Sequence, residues 1–411
     1  MTTPQNPISG MRLDGGVALA VAALVMPPLA VLAPLGLAPL LAALALVLIA
    51  LAPRRVFIGI RKILPLAVLV AVLALWATAS ALWSILPSHS LFEGLRFFAV
   101  GAGGLIVLGF ALDLVQPAGR RIVQFAAAGV LLAVLLLVFE RFDNFAVTRL
   151  LHGVGPDYHL TLSRYDRGVT TLVLMLWPAL TAARKTWQGA ILILCVFAAA
   201  YVMSSLASLL GLGAGVATCA LAYRFPRSVT AALIAALLSV AVVLPAIVPS
   251  YESTVTFQDR APWFKQSGIH RLLIWRFTAD RIAERPLLGW GMDASRELPG
   301  GHRDFTTTLP GIRLTPDDEA LPLHPHNAVL QWRVELGLPG TVLCLAIVFW
   351  GLWRVGFKEG PLPIRRATVL GFAATAMVIG LLSFGAWQAW WLSCLWTISA
   401  LCAGAMVADE Y

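Results

Sequence analysis

The chain has 411 residues, 59% of them hydrophobic and only 12% charged, with a formal net charge of +9 and a mean hydropathy of +0.83. Soluble domains carry about 25% charged residues and roughly 45–50% apolar ones. The composition therefore excludes a large soluble core and predicts an integral membrane protein, and the placement of the positive charge along the chain argues against nucleic acid as its target. The five cysteines (Cys195, Cys219, Cys344, Cys394, Cys402) all fall in apolar runs with no CxxC or Cys/His spacing. They read as small core residues, not as disulfides or metal ligands.

Runs of about 17–25 apolar residues are long enough to cross a bilayer as helices. They fall near 17–33, 35–52, 64–83, 91–112, 121–140, 168–183, 188–203, 206–223, 228–248, 338–356, 366–382 and 387–406. The expected fold is an all-α polytopic membrane protein of about twelve transmembrane helices, forming one transmembrane domain over 1–411. Only Pro34 divides the first two. A cleaved leader is not expected, because the n-region is weak and apolar segments repeat to the C-terminus. Short cytoplasmic loops are enriched in Lys and Arg, and every second connection here is basic: Arg54, Arg55, Arg61 and Lys62; Arg120 and Arg121; Arg184 and Lys185; Arg224 and Arg227; Arg354, Lys358, Arg365 and Arg366. The intervening turns at 33–36, 84–90, 204–205 and 383–386 hold no Lys or Arg. Both termini are thus expected in the cytoplasm.

Two outer connections break that rule: a shorter one, 141–167, with Arg141, Arg149, Arg164 and Arg167, and a long one, 249–337, with ten Lys or Arg. Long loops translocate largely regardless of charge, so topology does not need these residues. Their bland role is a solvated loop that pairs its charges internally; their functional role is a cationic outer surface for an anionic ligand. Glycine clusters at 101–104 and 211–215 read as close helix packing.

In chain order, the first charge expected inside the membrane is Arg96, which either pairs with Glu93 or joins an anion site. Ser163-Arg164-Tyr165-Asp166-Arg167-Gly168 runs into the sixth span, where a helix N-terminus and a bidentate arginine both favour phosphate. Asp166 would cap that helix or neutralise one arginine, and Arg164 could snorkel toward water. The segment from His270 to Arg285 is predicted to be helical, stopped by Pro286. Its stripe of Leu272, Trp275, Ala279, Ile282 and Ala283 is suited to the membrane surface. Arg276 has Asp280 four residues on and so a surface ion pair as its ordinary role. Arg271 has Ile274 and Trp275 at the corresponding positions, which makes it the stronger candidate for an outside anion.

Two of only seven histidines follow, in Leu323-His324-Pro325-His326-Asn327, before a short predicted helix over 326–336 and a break at Gly337-Leu338-Pro339-Gly340. A His-x-His pair could bind metal, but no third and fourth ligand stand at an informative spacing, so no metal or cofactor is expected. His326 either acts as a proton acceptor at the helix start or is a hydrogen-bonded structural residue. His324, held extended before Pro325, fits loop shaping or acceptor contact better.

Three pieces together resemble the O-antigen ligase superfamily, which also includes O-antigen polymerases and pilin oligosaccharyltransferases. They are Arg271-xxx-Trp275 followed by Glu284-Arg285-Pro286-Leu287-Leu288-Gly289-Trp290-Gly291, His324-Pro325-His326-Asn327-xxx-Gln331-xxx-Glu335-Leu336-Gly337, and the Arg-Gly start of a middle span. The twelve-span plan with one long late outer loop is also similar. The resemblance implies a membrane glycosyltransferase of the GT-C type in the bacterial inner membrane, with its active site facing the periplasm. Its implied donor is an undecaprenyl-pyrophosphate-linked glycan, and its implied acceptor is the outer sugar of lipid A–core. It further implies a metal-independent, inverting reaction with His326 as base, Arg271 and Arg167 as diphosphate contacts, and Glu335 in a supporting place. Arg164 and Arg276 join the arginine candidates; His324, Asn327 and Arg96 join the acceptor or supporting ones.

The chemistry of the residues is consistent with that picture, since a diphosphate leaving group gains charge as the glycosidic bond breaks and fixed arginines stabilise that change. A polymerase of the same superfamily is the alternative. The chain's end at Tyr411, shortly after its last span, is the pattern expected of a ligase beside the pilin enzymes. A transporter of the lipid-linked glycan would need charges lining a path through the membrane, whereas these cluster on one side.

Overall fold

The computed structural model describes residues 14–155, 157–314, 319–357 and 362–407. Its helices in chain order are α1 (Gly15–Leu32), α2 (Leu37–Leu51), α3 (Pro53–Lys62), α4 (Leu64–Ala79), α5 (Pro87–Ala111), α6 (Gln116–Phe142), α7 (Ala146–His152), α8 (Asp166–Leu180) and α9 (Thr186–Val202). They continue as α10 (Leu206–Arg224), α11 (Pro226–Ile247), α12 (Tyr251–Arg260), α13 (Gln266–Glu284), α14 (Phe305–Thr308), α15 (Ala328–Gly356), α16 (Pro363–Leu382) and α17 (Ala389–Ala405). Among the described residues no strand forms; a single bridge joins Asp304 and Glu319. Nine helices there are long and apolar enough to cross a membrane, and α9 and α17 are shorter apolar helices. With α8 these elements fall on the predicted spans, and the protein is a polytopic helical membrane protein. Lys358, counted among the basic loop residues, lies outside the described residues.

The bundle is organised around α8. Every residue from Gly168 to Ala179 is buried, as expected of a helix that is apolar all round. Helices α1, α6, α9, α10, α16 and α17 pack against it. Large apolar side chains such as Leu46, Leu75, Leu135 and Val242 are about two-thirds exposed on the outer helices, which suits a lipid-facing surface. Arg167 thus stands at the first turn of the most buried helix in the fold.

The long connection before α15 is a folded cap with its own core. Ile269, Leu273, Ile274, Phe277 and Ile282 of α13 pack with Trp290, Ala294, Leu298, Phe305, Leu321, Leu330 and Val334. This corrects the sequence expectation of a membrane-surface stripe. The inward face of α13 is set by 269, 273, 277 and 282; Ala279 and Ile282 are buried, Leu272 and Trp275 are partly buried, and Ala283 is exposed. The Trp275 indole N–H donates to the Pro325 carbonyl at 3.0 Å, so the face assigned to lipid instead holds the histidine segment.

A break in α15 joins cap to bundle. Gly337 has φ 64 and ψ −160, a region open essentially to glycine alone. The break frees carbonyls that the preceding loop then caps: Trp290 N–H donates to Val334 O (2.9 Å) and Gly291 N–H to Glu335 O (2.8 Å). The Trp76 indole donates to Leu336 O at 3.0 Å. A Cβ on Gly337 would lie 2.0 Å from the Leu287 carbonyl oxygen. Substituting Gly337→Ala is expected to cost about 2 kcal/mol or more, combining φ/ψ strain with the clash. A fall in the thermal midpoint of the purified protein checks this, and an unchanged midpoint would refute the clamp.

Candidate active site at the histidine pair

The two histidines sit at the start of α15, each ring fixed by a different kind of partner. Asn327 is the N-cap: its side-chain oxygen accepts from Leu330 N–H at 3.1 Å, and its amide donates to the Leu381 carbonyl at 3.1 Å. His326, just before it, is held at φ 53. The rings of His324 and His326 lie 4.3 Å apart, inclined at 57°.

Their partners fix opposite tautomers. His326 Nδ1 faces the Ser383 carbonyl oxygen at 2.5 Å. A carbonyl only accepts, so Nδ1 carries the proton and the neutral ring presents a lone pair at Nε2. His324 Nδ1 accepts from the His326 backbone N–H at 3.2 Å, so in the neutral ring Nε2 carries the proton. One imidazole is therefore oriented as a proton acceptor and its neighbour as a donor.

Both rings are neutral at physiological pH. Burial pulls the His326 pKa down to about 4, against the Ser383 carbonyl, with Arg271 and His270 adding to the fall. For His324 burial, then His326, Arg296, Arg167 and Arg271, lower it to about 3. Arg271 from α13 and Arg167 from α8 thus act on the same histidine although 104 positions separate them in the sequence (271 − 167). Arg167 also lies 5.7 Å from the Trp390 ring centroid. Burial presses the Arg271 pKa below its ordinary value while Asp166 opposes this, so the non-local carboxylate facing Arg271 is Asp166.

The other expected residues divide. Arg96 pairs with Glu93 and lines a cavity with His324. Arg276 is held by Asp280, and Arg164 is exposed beside Tyr165; neither is brought to the histidine pair by a described contact. Glu335 is fully buried. It accepts from Asp293 N–H (2.9 Å), Ser295 O–H (2.5 Å), the Gln331 amide (3.0 Å) and the Trp387 indole (2.5 Å).

Sequence reasoning missed Asp293, Arg296, His89 and Gln388. Asp293, at φ 53, binds His89 Nε2 at 2.9 Å and Arg296 at 2.7 Å. Nothing in the sequence couples position 89 to 293, although Asp293 follows the Gly289-Trp290-Gly291 turn closely enough to have been a signal. His89, Glu93 and Asp293 each bring one possible metal-ligand atom to within 4.8 Å of the others. Both carboxylates already face guanidinium groups, a charge balance that a divalent ion would disturb.

The fold and this site define a polytopic membrane protein with a buried histidine–arginine centre where a folded cap meets the bundle. A family profile described as O-antigen ligase matches residues 188–345, a stretch that includes Arg271, both histidines and Glu335 but not Arg167 or Arg96. The chain is 30% identical over 329 residues to a Rickettsia conorii protein named as a polysaccharide ligase, covering 77% of this chain and 74% of that one. A Rickettsia felis protein also named as a polysaccharide ligase is 30% identical over 324 residues, with coverage of 77% and 75%. One of Rickettsia bellii is 29% identical over 327 residues, with coverage of 79% and 76%. The chain belongs to the O-antigen ligase family, and it is a ligase enzyme of the glycosyltransferase kind.

The Glu335 contacts generate one expectation. Glu335→Ala strands four buried donors at 0% exposure of the residue, a loss of about 3 kcal/mol or more. Thermal unfolding in detergent checks it, and a midpoint equal to that of the unaltered protein would show that the carboxylate is not the anchor.

Proposed function

We propose that this protein transfers a glycan from an undecaprenyl-pyrophosphate carrier to a terminal sugar of lipid A–core, on the periplasmic side of the inner membrane. The observation that carries this reading is the opposite orientation of two adjacent imidazoles beside arginines drawn from α8 and α13. In this reaction the acceptor hydroxyl attacks the anomeric carbon from the face opposite the diphosphate. Its proton passes to His326 Nε2, the bond from carbon to the phosphate oxygen breaks, and the undecaprenyl diphosphate departs with an added negative charge. Arg271 and Arg167 stabilise that charge as it develops. The imidazole supplies the base and the guanidiniums the positive charge, so the step requires no metal. The domain reading is one transmembrane unit, with 141–167 and 249–337 facing the periplasm and both termini in the cytoplasm; the alternation of basic short loops supports it. The relatives' names favour a ligase over a polymerase or a transporter.

A reconstituted mixture of the protein, undecaprenyl-pyrophosphate glycan and lipid A–core, without ATP or divalent ions, is expected to yield ligated product. Its absence under conditions where a related ligase works would overturn the reading. In single-turnover transfer, His326→Ala is expected to lose at least about 10²-fold. Normal transfer by that variant at matched membrane abundance would move the base elsewhere.

The pH profile carries a separate expectation. The base works neutral, so activity falls as pH drops through the His326 pKa, which is about 4 in the free protein. A bound diphosphate neutralises Arg271, which lowers that pKa, and adds negative charge of its own. The acid limb of kcat is therefore expected at higher pH than that of kcat/KM; coincident limbs would place the anion away from His326. Arg271→Lys and Arg167→Lys keep charge but lose the planar fork. Each is expected to fold normally and transfer more slowly, and near-normal transfer by both would show the diphosphate to be held elsewhere.

A further inference from the structure

In the cavity beside the histidine pair, two hydrogen-bond donors face one another. The cavity is lined by Arg96, Asp293, Arg296, His324, Trp387 and Gln388, among others. Gln388 uses its side-chain oxygen to accept from the Trp390 indole N–H at 2.8 Å. An indole nitrogen only donates, so that assignment fixes the amide and leaves its nitrogen pointing at His324 Nε2, 3.4 Å away. His324 Nε2 carries a proton too, because Nδ1 is occupied as an acceptor. Two N–H groups cannot bond to each other. An oxygen reaching them from the cavity can accept from both.

The remaining wall indicates what kind of oxygen. Arg96 is paired with Glu93, and Arg296 with Asp293, so the two cations are matched by two carboxylates. The Asp293 carboxylate, which lines the cavity, would repel a free phosphate or carboxylate. A neutral polyol gains from both signs: its oxygens accept from guanidinium, amide and imidazole N–H groups while its O–H groups donate to carboxylate. The wall is also rigid before anything binds. Asp293 is anchored through its backbone N–H to Glu335. The Trp387 indole is tied to the same carboxylate, and the Ala386 N–H donates to Gln331 Oε1 at 2.7 Å. Such pre-organisation reduces the entropy lost when a flexible sugar is ordered.

We infer that this cavity is the subsite for the acceptor, taking an uncharged sugar ring with one oxygen accepting from both the Gln388 amide and His324 Nε2 and a neighbouring hydroxyl on Asp293. The inference rests on the proposed transfer reaction and divides the site. Arg271 and Arg167 serve the donor; Gln388, His324, Asp293 and Arg296 select the acceptor. His324 is then a binding residue, which explains why it is oriented as a donor while its neighbour is oriented as a base. It also identifies the excluded ligand: a terminal sugar phosphorylated next to the reacting hydroxyl.

The test uses the full-length protein in lipid nanodiscs with undecaprenyl-pyrophosphate glycan and lipid A–core from ligase-deficient cells. Gln388→Glu replaces the amide donor with an acceptor that the His324 N–H can satisfy internally. The acceptor KM is expected to rise roughly tenfold to a hundredfold, the worth of a lost charge-assisted or shared hydrogen bond, with the donor KM unchanged. Arg296→Lys, which keeps the pairing charge, is expected to shift the same constant in the same direction by less. A lipid A–core acceptor phosphorylated on its terminal sugar is expected to react more slowly than the neutral one. An unchanged acceptor KM in Gln388→Glu, a donor KM that rises with it, or preference for the phosphorylated acceptor would each overturn the subsite. His326→Ala in the same assay separates the two ideas. If it abolishes transfer while Gln388→Glu binds acceptor normally, the subsite alone is wrong; if it transfers normally, the base reading underneath has failed.

Discussion

The Glu335 carboxylate is the interaction on which the rest of the site depends. It sits at 0% exposure just before the break in α15. Its four donors come from the loop after α13, from its own helix and from the segment leading into α17. Those segments are far apart in the chain, and each has polar backbone that a membrane edge cannot leave unpaired. One buried carboxylate satisfies donors from all three and so fixes their relative positions. Through Asp293 it sets Arg296 and His89; through Gln331 and Trp387 it sets the loop that carries Gln388 and, a few residues earlier, the Ser383 carbonyl that orients His326. The glycine at 337 makes this possible by ending the helix where the carboxylate is needed.

Much of the fold was legible in the sequence because the bilayer imposes a strong, local rule. Apolar runs of the right length gave segments that match α1, α2, α4, α5, α6, α8–α11, α16, α17 and the part of α15 after its break at Gly337 within a few residues. The same rule could not say which of them is central. Helix α8 is short and bears two threonines, yet it is the most enclosed, a fact that depends on its neighbours and not on its own composition. The outer cap shows the opposite limit. The extent of α13 was readable from its periodicity, but its stripe was assigned to lipid when the actual partner was the core formed by Trp290, Phe305 and Leu321. Periodicity identifies an apolar face; it does not identify what covers that face.

The site divides in the same way. His324, His326, Arg271, Arg167 and Arg96 were visible because rare polar types stood where apolar or solvated ones were expected. Asp293, Arg296 and Gln388 were not, because acids, arginines and amides in a long polar loop are ordinary, and only folding brings them to the histidines. Asn327 was read as an acceptor or supporting residue and is observed as a helix cap. Arg276 was given two possible roles and is observed in the local one, with Asp280. Sequence separation up to one helical turn was therefore handled well, and partners from distant segments were not.

The backbone of His326 has a further consequence. A left-handed φ of 53 is a conformation that glycine adopts freely and that other L-residues adopt at about 1–2 kcal/mol. Judged by chain geometry alone, position 326 belongs to glycine, and the cap at Asn327 together with the Ser383 carbonyl forces an imidazole to occupy it. The protein therefore holds part of its conformational energy in reserve at the residue proposed to accept the proton. Replacing that imidazole by glycine would relieve the backbone and at the same time leave the Ser383 carbonyl without its ring partner.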